Sequence, residues 1–271
     1  MKRISFQGER GAYSEAASIS YFEDEIETIP CSTFAEALKN TENDTSDYSI
    51  LPIENSLEGS VGESNDLLLS TNLNVVGEIY HRIHHCLIGI GSVSDIDTIY
   101  SHPQALGQCR QFIQENSLKS IPSYDTAGSV KIIKDLNKKN VACIASKNAA
   151  KIFDVPIIKK GIEDNANNYT RFLIFSKEVN NKTENSKTSI IFSVKHEAGA
   201  LYKIINEFYL HKINLTKIES RPNKNTPWEY NFYVDFEGRQ SDPSISDRLQ
   251  ELRTHSTFLK ILGSYPMAKL D

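Results

Sequence analysis

Asn168-Tyr169-Thr170-Arg171-Phe172 stands where a polar loop turns into an apolar strand. Before it, Gly161 to Asn168 holds two acids, three asparagines and almost no apolar surface, which is the composition of a loop. After it, Phe172-Leu173-Ile174-Phe175 is an apolar run short enough for a buried strand. Thr170 and Arg171 therefore fall at a strand mouth, where rigid scaffold meets solvent and where ligands commonly bind in α/β proteins. Taken alone, the pair is also ordinary for a strand end, a β-branched residue beside a solvated charge. The rest of the chain decides between the two.

Working outward, the first half alternates strands and helices. Ile4 to Phe6 reads as a strand, and Gly8 to Ser14 as a turn opening a helix that runs to Phe22. Two glycines before a helix let backbone N–H groups approach an anion, although a tight turn wants glycine anyway. Thr28 to Cys31 is a second strand, and Thr33-Phe34-Ala35-Glu36 has the form of a capping box. Asp47 to Ile53 is a third strand running into Glu54-Asn55-Ser56-Leu57-Glu58-Gly59-Ser60, a polar cluster suited either to ligand contact or to capping of the next helix. That helix is expected over Val61 to Leu69, followed by one long extended segment from Val75 to Gly89.

Within that segment His81, His84 and His85 invite a metal reading. Alternation puts His81 and His85 on one face and His84 on the other, and no acid or thiol stands at a ligand-like spacing, so structural histidines are expected and no metal. A second α/β set follows: strands at Asp97–Tyr100, Ser120–Ser123 and Val141–Ala145, helices at Pro103–Glu115, Thr126–Leu136 and Lys147–Phe153. At its first join stands Ser101-His102-Pro103-Gln104, with Pro103 suited to the first helical position and Gln108 one turn beyond Gln104. His102 reads as a general base or, more commonly for a histidine at a helix start, as a cap. Two α/β sets of similar size imply two lobes with a cleft, the chain returning to the first lobe through the Thr170 strand.

Lys177 to Lys187 is polar and charged and reads as a linker. Beyond it the rhythm changes. Ile190, Phe192 and Val194 alternate as a half-buried strand, and Leu201, Ile204, Ile205 and Phe208 mark a helix face. Extended segments at Ile213–Ser220 and Tyr230–Phe236, a helix holding Leu249 and Leu252, and a strand at Phe258–Leu262 complete the order β-α-β-β-α-β of a ferredoxin-like unit. Its open sheet edges imply pairing with a second copy.

Composition excludes several classes. A net charge of -5 and no basic run give no footprint for nucleic acid. The four cysteines, Cys31, Cys86, Cys109 and Cys143, form no Cys-x-x-Cys pair and fit buried thiols in a reducing compartment. No apolar stretch approaches the roughly 18 residues of a membrane span. A cytoplasmic protein with no membrane or nucleic-acid partner is expected.

Together these stretches resemble the prephenate dehydratase family with its C-terminal ACT regulatory domain. The resemblance rests on Gly8 to Ser14, Leu51-Pro52-Ile53-Glu54-Asn55-Ser56, His85-Cys86-Leu87, Ser101-His102-Pro103-Gln104 with Gln108, and Thr170-Arg171-Phe172. In the tail it rests on Gly199-Ala200-Leu201, Glu219-Ser220-Arg221-Pro222 and Trp228-Glu229-Tyr230, and any one of these is weak where their joint order is specific. It implies an α/β, two-lobed, periplasmic-binding-protein-like catalytic domain over residues 1–180, with lobe one at about 1–80 and 160–180 and lobe two at about 81–159. An ACT domain is implied over 188–271.

The same resemblance implies that prephenate becomes phenylpyruvate, carbon dioxide and water without a cofactor. Asn55, Ser56, Ser101, Gln104, Gln108, Arg171 and Phe172 are expected to bind substrate, with Thr170 and Glu54 as catalytic residues. Phenylalanine is the implied effector, held by Gly199, Ala200, Leu201, Glu219, Ser220, Arg221 and Pro222 in a homodimer or homotetramer. A chain ending near Lys182 is expected to stay active and lose feedback. Arogenate dehydratase, or a non-catalytic cytoplasmic amino-acid sensor, are the alternatives.

Chemistry sharpens the expectation for that family. Loss of hydroxide and carbon dioxide makes the ring aromatic, so the site must supply hydrogen bonding to the departing oxygen and donors for the side-chain carboxylate. Neutral donors suit the ring carboxylate, because a strong cation there would stabilise the ground state. Arg171 is a candidate bidentate grip on the other carboxylate. Thr170 is expected to donate a hydrogen bond rather than a full proton, with Glu54 or Glu58 as candidate acid.

Overall fold

The computed structural model describes residues 1–181, 185–224 and 226–270. The chain divides into two units, Met1–Ser64 with Ile79–Phe172, and Asn65–Glu78 with the chain from Leu173 onward.

The first unit is built from β1 (Lys2–Gln7), α1 (Tyr13–Phe22), β2 (Ile26–Cys31), α2 (Phe34–Glu42), β3 (Tyr48–Asn55), β4 (Gly59–Ser60), and the start of α3 (Gly62–Leu67). The end of β5 (Asn74–Arg82) follows, then β6 (Cys86–Gly89), β7 (Thr98–Ser101), α4 (Pro103–Gln108), α5 (Arg110–Glu115), β8 (Lys119–Pro122), α6 (Gly128–Leu136), β9 (Val141–Ala145), α7 (Lys147–Phe153) and β10 (Ile157–Lys160). The start of β11 (Tyr169–Ser176) closes it. One sheet has the order β2-β1-β3-β11-β5 with β4 on β3, the other β10-β6-β9-β7-β8. Pairing of β1 with β2 and β3 is parallel, as alternating strands and helices require. The second sheet is mixed, because β6 runs antiparallel to β9 and β10.

Burial explains the strand choice. All five residues of β9, Val141-Ala142-Cys143-Ile144-Ala145, are buried, as expected for a strand covered on both faces. Ile88, Val130, Ile133 and Cys143 pack on one side of that sheet and Leu87, Ile99, Phe112 and Ile144 on the other. The capping box at α2 forms with a shift: Glu36 N–H donates to Thr33 Oγ1 at 3.1 Å, while the returning carboxylate takes the N–H of Ser32 at 2.7 Å.

Two expected elements are broken, each for a visible reason. The extended segment Val75–Gly89 is two strands in two sheets, because Ile83-His84-His85 crosses between the lobes. The return crossing lies beside it, with Ile83 N–H bonded to Asn168 O at 2.8 Å and Gly161 N–H to His85 O at 3.0 Å. The helix Pro103–Glu115 breaks at Cys109, where Gln108 gives its carbonyl to Asp164 N–H at 2.8 Å and Asp164 Oδ1 takes Gln111 N–H at 3.0 Å.

The second unit holds β12 (Ser186–Ser193), α8 (Ala200–Leu210), β13 (Leu215–Pro222), β14 (Tyr230–Glu237), α9 (Pro243–His255) and β15 (Phe258–Pro266). Their order is the β-α-β-β-α-β read from the sequence, and the sheet order β13-β14-β12-β15 is antiparallel throughout. Phe192, Ile204, Phe208, Val234, Phe236, Leu249 and Leu252 form its core. Residues 65–78 belong here too: Lys187 pairs with Glu78 at 2.7 Å, both side chains buried, and Lys260 Nζ donates to the carbonyls of Leu68, Leu69 and Thr71 at 2.6–3.1 Å. Gly263, at φ 149°, lies so close to Val75 that a Cβ would stand 2.3 Å from its carbonyl oxygen. Residues 182–184, within the expected linker, lie outside the described residues. No helix among the described residues is long and apolar enough to cross a membrane.

Candidate active site

A cavity of about 500 Å³ opens between the two lobes of the first unit. It is within the range of small-molecule sites, about 300–1,000 Å³. Lobe one contributes Gly8, Tyr13, Thr33, Asn55, Glu63, Thr170 and Phe172 to its lining, lobe two His102, Gln104, Gln108, Asp125 and Thr126. Among the described residues no lysine or arginine lines it.

Gly11 brings the first turn of α1 to this cavity. Its φ of 92° is left-handed, and a Cβ there would meet Ala149 Cα of lobe two at 2.6 Å. Its N–H donates to the buried Glu15 carboxylate at 2.5 Å, and its carbonyl accepts from Ser146 Oγ at 2.6 Å. The glycine is thus explained by close approach of the lobes.

The central polar group is Asn55, 4% exposed at the end of β3. Its Oδ1 accepts from the N–H groups of Leu57 and Glu58 at 2.9 and 3.0 Å. Its Nδ2 therefore donates, its two hydrogens shared among Asn168 Oδ1 at 2.7 Å, Thr170 Oγ1 at 3.1 Å and Tyr169 O at 3.2 Å. Asn168 Nδ2 in turn donates to Gln108 Oε1 at 2.9 Å, which joins lobe one to lobe two. With an acceptor role already filled, the Thr170 hydroxyl has its own proton to give, and it lines the cavity.

Asn55, Gln104, Gln108, Thr170 and Phe172 are brought together on the cavity wall. Ser101, Arg171, Glu54 and Ser56 are outside that lining. Ser101 is fully buried and its hydroxyl donates to Ile144 O at 2.7 Å, joining β7 to β9. Arg171 is buried in β11, because strand alternation turns it away from the wall that Thr170 and Phe172 share. Glu54 alternates away from Asn55 and pairs with Ser60 of β4. Ser56 ties the mouth, donating to Asn167 O at 2.9 Å and accepting from Tyr169 N–H at 3.0 Å. Glu58 reaches Gln108 Nε2 only at 3.5 Å. His102 caps α4, its Nδ1 accepting from Gln104 N–H at 3.3 Å.

Sequence reasoning gave no role at the site to Tyr13, Glu63 or Asn168, and read His85 as a structural histidine. Tyr13 and Asn168 lay inside quoted motifs, but their partners are tens of residues away. His85 is buried, and burial holds its ring below the ordinary histidine pKa. Tyr13 is pushed well up by the same cause. Glu163 beside them would be raised by burial, but hydrogen bonds from main-chain N–H groups and His84 outweigh it and hold the carboxyl low. All four cysteines are free and buried, and burial raises the thiols, which suits inert packing.

In the second unit Gly199 caps α8 at φ 81°, Ala200 is buried, and Leu201 packs on the core. Glu219 pairs with Lys217 at 3.3 Å, Ser220 and Pro222 are exposed on β13, and Arg221 pairs with Asp66 at 2.8 Å. Glu207, His211 and Glu251 of α8 and α9 have ligand atoms within 4.8 Å of one another, with Glu251 also held by Arg248 at 2.7 Å.

The family model described as prephenate dehydratase matches residues 4–180, and the ACT domain model matches residues 188–254. The bifunctional chorismate mutase/prephenate dehydratase of Aquifex aeolicus is 37% identical, covering 99% of this chain and 75% of that protein. The chloroplastic arogenate dehydratase/prephenate dehydratase 2 of Arabidopsis thaliana is 41% identical, covering 98% and 73%. The structure of prephenate dehydratase from Arthrobacter aurescens in complex with L-Phe superposes with a TM-score of 0.88 at 28% identity, covering 98% of this chain and 90% of that one. GqqA, described as a novel type of quorum quenching acylase, superposes at 0.90 with 32% identity, covering 98% of both. On these matches the chain belongs to the prephenate dehydratase family, with an ACT domain after its dehydratase domain.

Proposed function

We propose that the cavity converts prephenate to phenylpyruvate, carbon dioxide and water, and that phenylalanine restrains the reaction through the ACT domain. The ring carboxylate leaves as carbon dioxide, its bonding electrons aromatise the ring, and the ring hydroxyl departs, taking one proton to become water. The observation that supports this reading is Thr170: it lines the cavity, and its oxygen lies 3.1 Å from Asn55 Nδ2, which can only donate, so the hydroxyl keeps its own proton to give. A wall without lysine or arginine suits a substrate whose ring carboxylate must be lost. The side-chain carboxylate would rest against the first turn of α1, where Ala12, Tyr13 and Ser14 line the cavity and early N–H groups point outward. Gln108 and Gln104 supply further neutral donors. Two carboxyls lie on the wall, Glu63 and Asp125; Asp125 accepts from the N–H groups of Ala127 and Gly128, so Glu63 is the better candidate for proton delivery than Asp125 or Glu54. Ser101, Ser56 and Arg171 hold the walls rather than the substrate.

The protein works as a cytoplasmic homodimer or homotetramer in this reading, with Gly199, Ala200, Leu201 and the Glu219–Pro222 strand around the effector. Arogenate is the alternative substrate, since its amino group replaces only a keto oxygen. Acyl transfer, the activity named for GqqA, is disfavoured because an amide, not a base, engages the Thr170 hydroxyl.

Purified enzyme incubated with prephenate, arogenate and an N-acyl amide separates the three, read by phenylpyruvate, phenylalanine or released amine. Thr170→Val should lower kcat about a hundred- to a thousandfold with little change in KM, the loss of one well-placed donor. Thr170→Ser should keep much of the activity. Normal turnover by Thr170→Val would remove Thr170 from the mechanism.

A further inference from the structure

His85 has no part in the function above, yet it stands at the crossing between the lobes and joins them. Its Nδ1 lies 2.9 Å from the Tyr13 hydroxyl of α1, and its Nε2 2.9 Å from Gln108 Oε1 of α4. The direction of these bonds can be read outward from the main chain. The N–H groups of Leu57 and Glu58 can only donate, so Asn55 Oδ1 is fixed and its Nδ2 faces Asn168 Oδ1. Asn168 then presents Nδ2 to Gln108 Oε1. That oxygen carries no proton, so the bond to His85 needs a hydrogen on Nε2. In the neutral ring Nδ1 is left to accept from Tyr13. The Tyr13 hydroxyl also lies 2.7 Å from His84 O, a second acceptor for the same proton.

The groups packed around the ring agree with a neutral imidazole. Glu163 spends its carboxylate on His85 N–H at 3.0 Å and on the His84 ring at 2.9 Å; its charge favours a protonated His85, but burial of the ring outweighs it. Of the other titratable neighbours, Tyr13, Cys86 and Cys109 are held protonated by burial, and His84 opposes a positive charge on the His85 ring.

Gln108 Oε1 is thus clamped by two donors, and the amide nitrogen, which meets Glu58 Oε1 at the long distance of 3.5 Å, is the end turned toward the cavity. For a dianionic substrate this choice matters, because a carbonyl turned inward would repel what the N–H₂ attracts. Building on the dehydratase reading, we propose that His85 is a positioning residue: as the Nε2–H tautomer it holds Gln108 Oε1 together with Asn168, so that Gln108 presents its amide N–H₂ to the substrate. His85 itself borders the cavity, and the role assigned to it acts through Gln108.

Two measurements test this. In full-length enzyme, His85→Leu should lower kcat/KM for the active substrate about tenfold, the size of one neutral hydrogen bond. Because it acts through Gln108, adding His85→Leu to Gln108→Ala should cost almost nothing more. His85→Gln, whose amide nitrogen falls near the Nε2 position, should recover most of the loss, whereas His85→Asn should not. Independent costs in the double variant, or equal activity of the Gln and Asn variants, would overturn the proposal. The second measurement needs no turnover: nitrogen-15 NMR of histidine-labelled wild-type chain near pH 7 should show His85 as the Nε2–H tautomer. An Nδ1–H tautomer would overturn the proposal even in an active enzyme. Failure of the wild type to process prephenate or arogenate would instead overturn the function, with the tautomer still deciding the positioning claim.

Discussion

Asn55 spends both ends of its amide on the protein, its oxygen on two main-chain N–H groups and its nitrogen on Asn168 and Thr170. Asn55→Asp keeps the shape and inverts one end, putting a carboxylate oxygen where a donor stood, against the oxygens of Asn168, Tyr169 and Thr170. We expect kcat to fall about a hundredfold and the thermal midpoint to drop, because the new charge is buried against Asn168 Oδ1 and Tyr169 O and draws the Thr170 proton away from the cavity. Enzyme assays and a melting curve on the same preparation check both. His85 supplies a pH prediction. Its folded pKa lies below the ordinary 6.5 because the ring is buried. Above about that pH both states are neutral; as the pH falls through it, the unfolded chain takes up a proton that the folded one refuses, so stability is lost on the acid side. His81 shifts the same way for the same reason. The urea midpoint should therefore fall between pH 7.5 and 5.5, and His85→Gln should remove part of that fall, leaving the His81 share.

At the scale of elements, strands and helices that follow their own periodicity were legible: the five-residue apolar run of β9, the Thr33 cap of α2 and the alternation of β12 and β14 all form where the pattern places them. What could not be read was any feature set by a partner far along the chain. Nothing local announces that Ile83–His85 leaves one sheet for the other, or that Asp164 interrupts the helix at Cys109. The site divides the same way: Thr170 and Asn55 sit in recognisable motifs, whereas the hydroxyl of Ser101, equally marked in sequence, is consumed by Ile144 O. A strand can also carry a charge that composition hides. Lys187 of β12 reads as linker, yet its ammonium is buried against Glu78 of β5 at 2.7 Å, and Glu78 also accepts from Ala268 N–H at 3.1 Å. Lys187→Met should cost about 3–5 kcal/mol by stranding the carboxylate, while Lys187→Met with Glu78→Leu should recover most of it. Urea unfolding followed by circular dichroism measures both, and equal losses in the single and double variants would argue against a stranded charge as the cause.

Over the whole molecule, the family boundaries and the compact units do not coincide. Residues 65–78 lie inside the dehydratase match, but they pack in the unit that holds the ACT sheet. A chain cut near Lys182 would therefore strip the partners from Asp66, Glu78 and the carbonyls that Lys260 holds, so it should melt earlier than the full chain whatever its activity. A single substitution is the cleaner probe of feedback. Helix α3 carries Glu63, which lines the cavity, and one turn later Asp66, which is paired with Arg221 of β13 beside Glu219. Whether a change in how Arg221 is held reaches Glu63 along this helix is a question for mutation at Asp66. The Arg221 guanidinium, through its hydrogen bond, holds the Asp66 carboxyl below its ordinary range, so the pair is fully ionised at neutral pH and weakens only in acid. Asp66→Asn at pH 7 should leave turnover without effector within about threefold, because surface pairs of this kind contribute about 1 kcal/mol or less to stability. It should shift the phenylalanine concentration for half-inhibition by about fivefold or more, the lower end of ordinary coupling energies. Inhibition curves for the two proteins decide it, and superimposable curves would mean that the link between effector and cavity does not pass through α3.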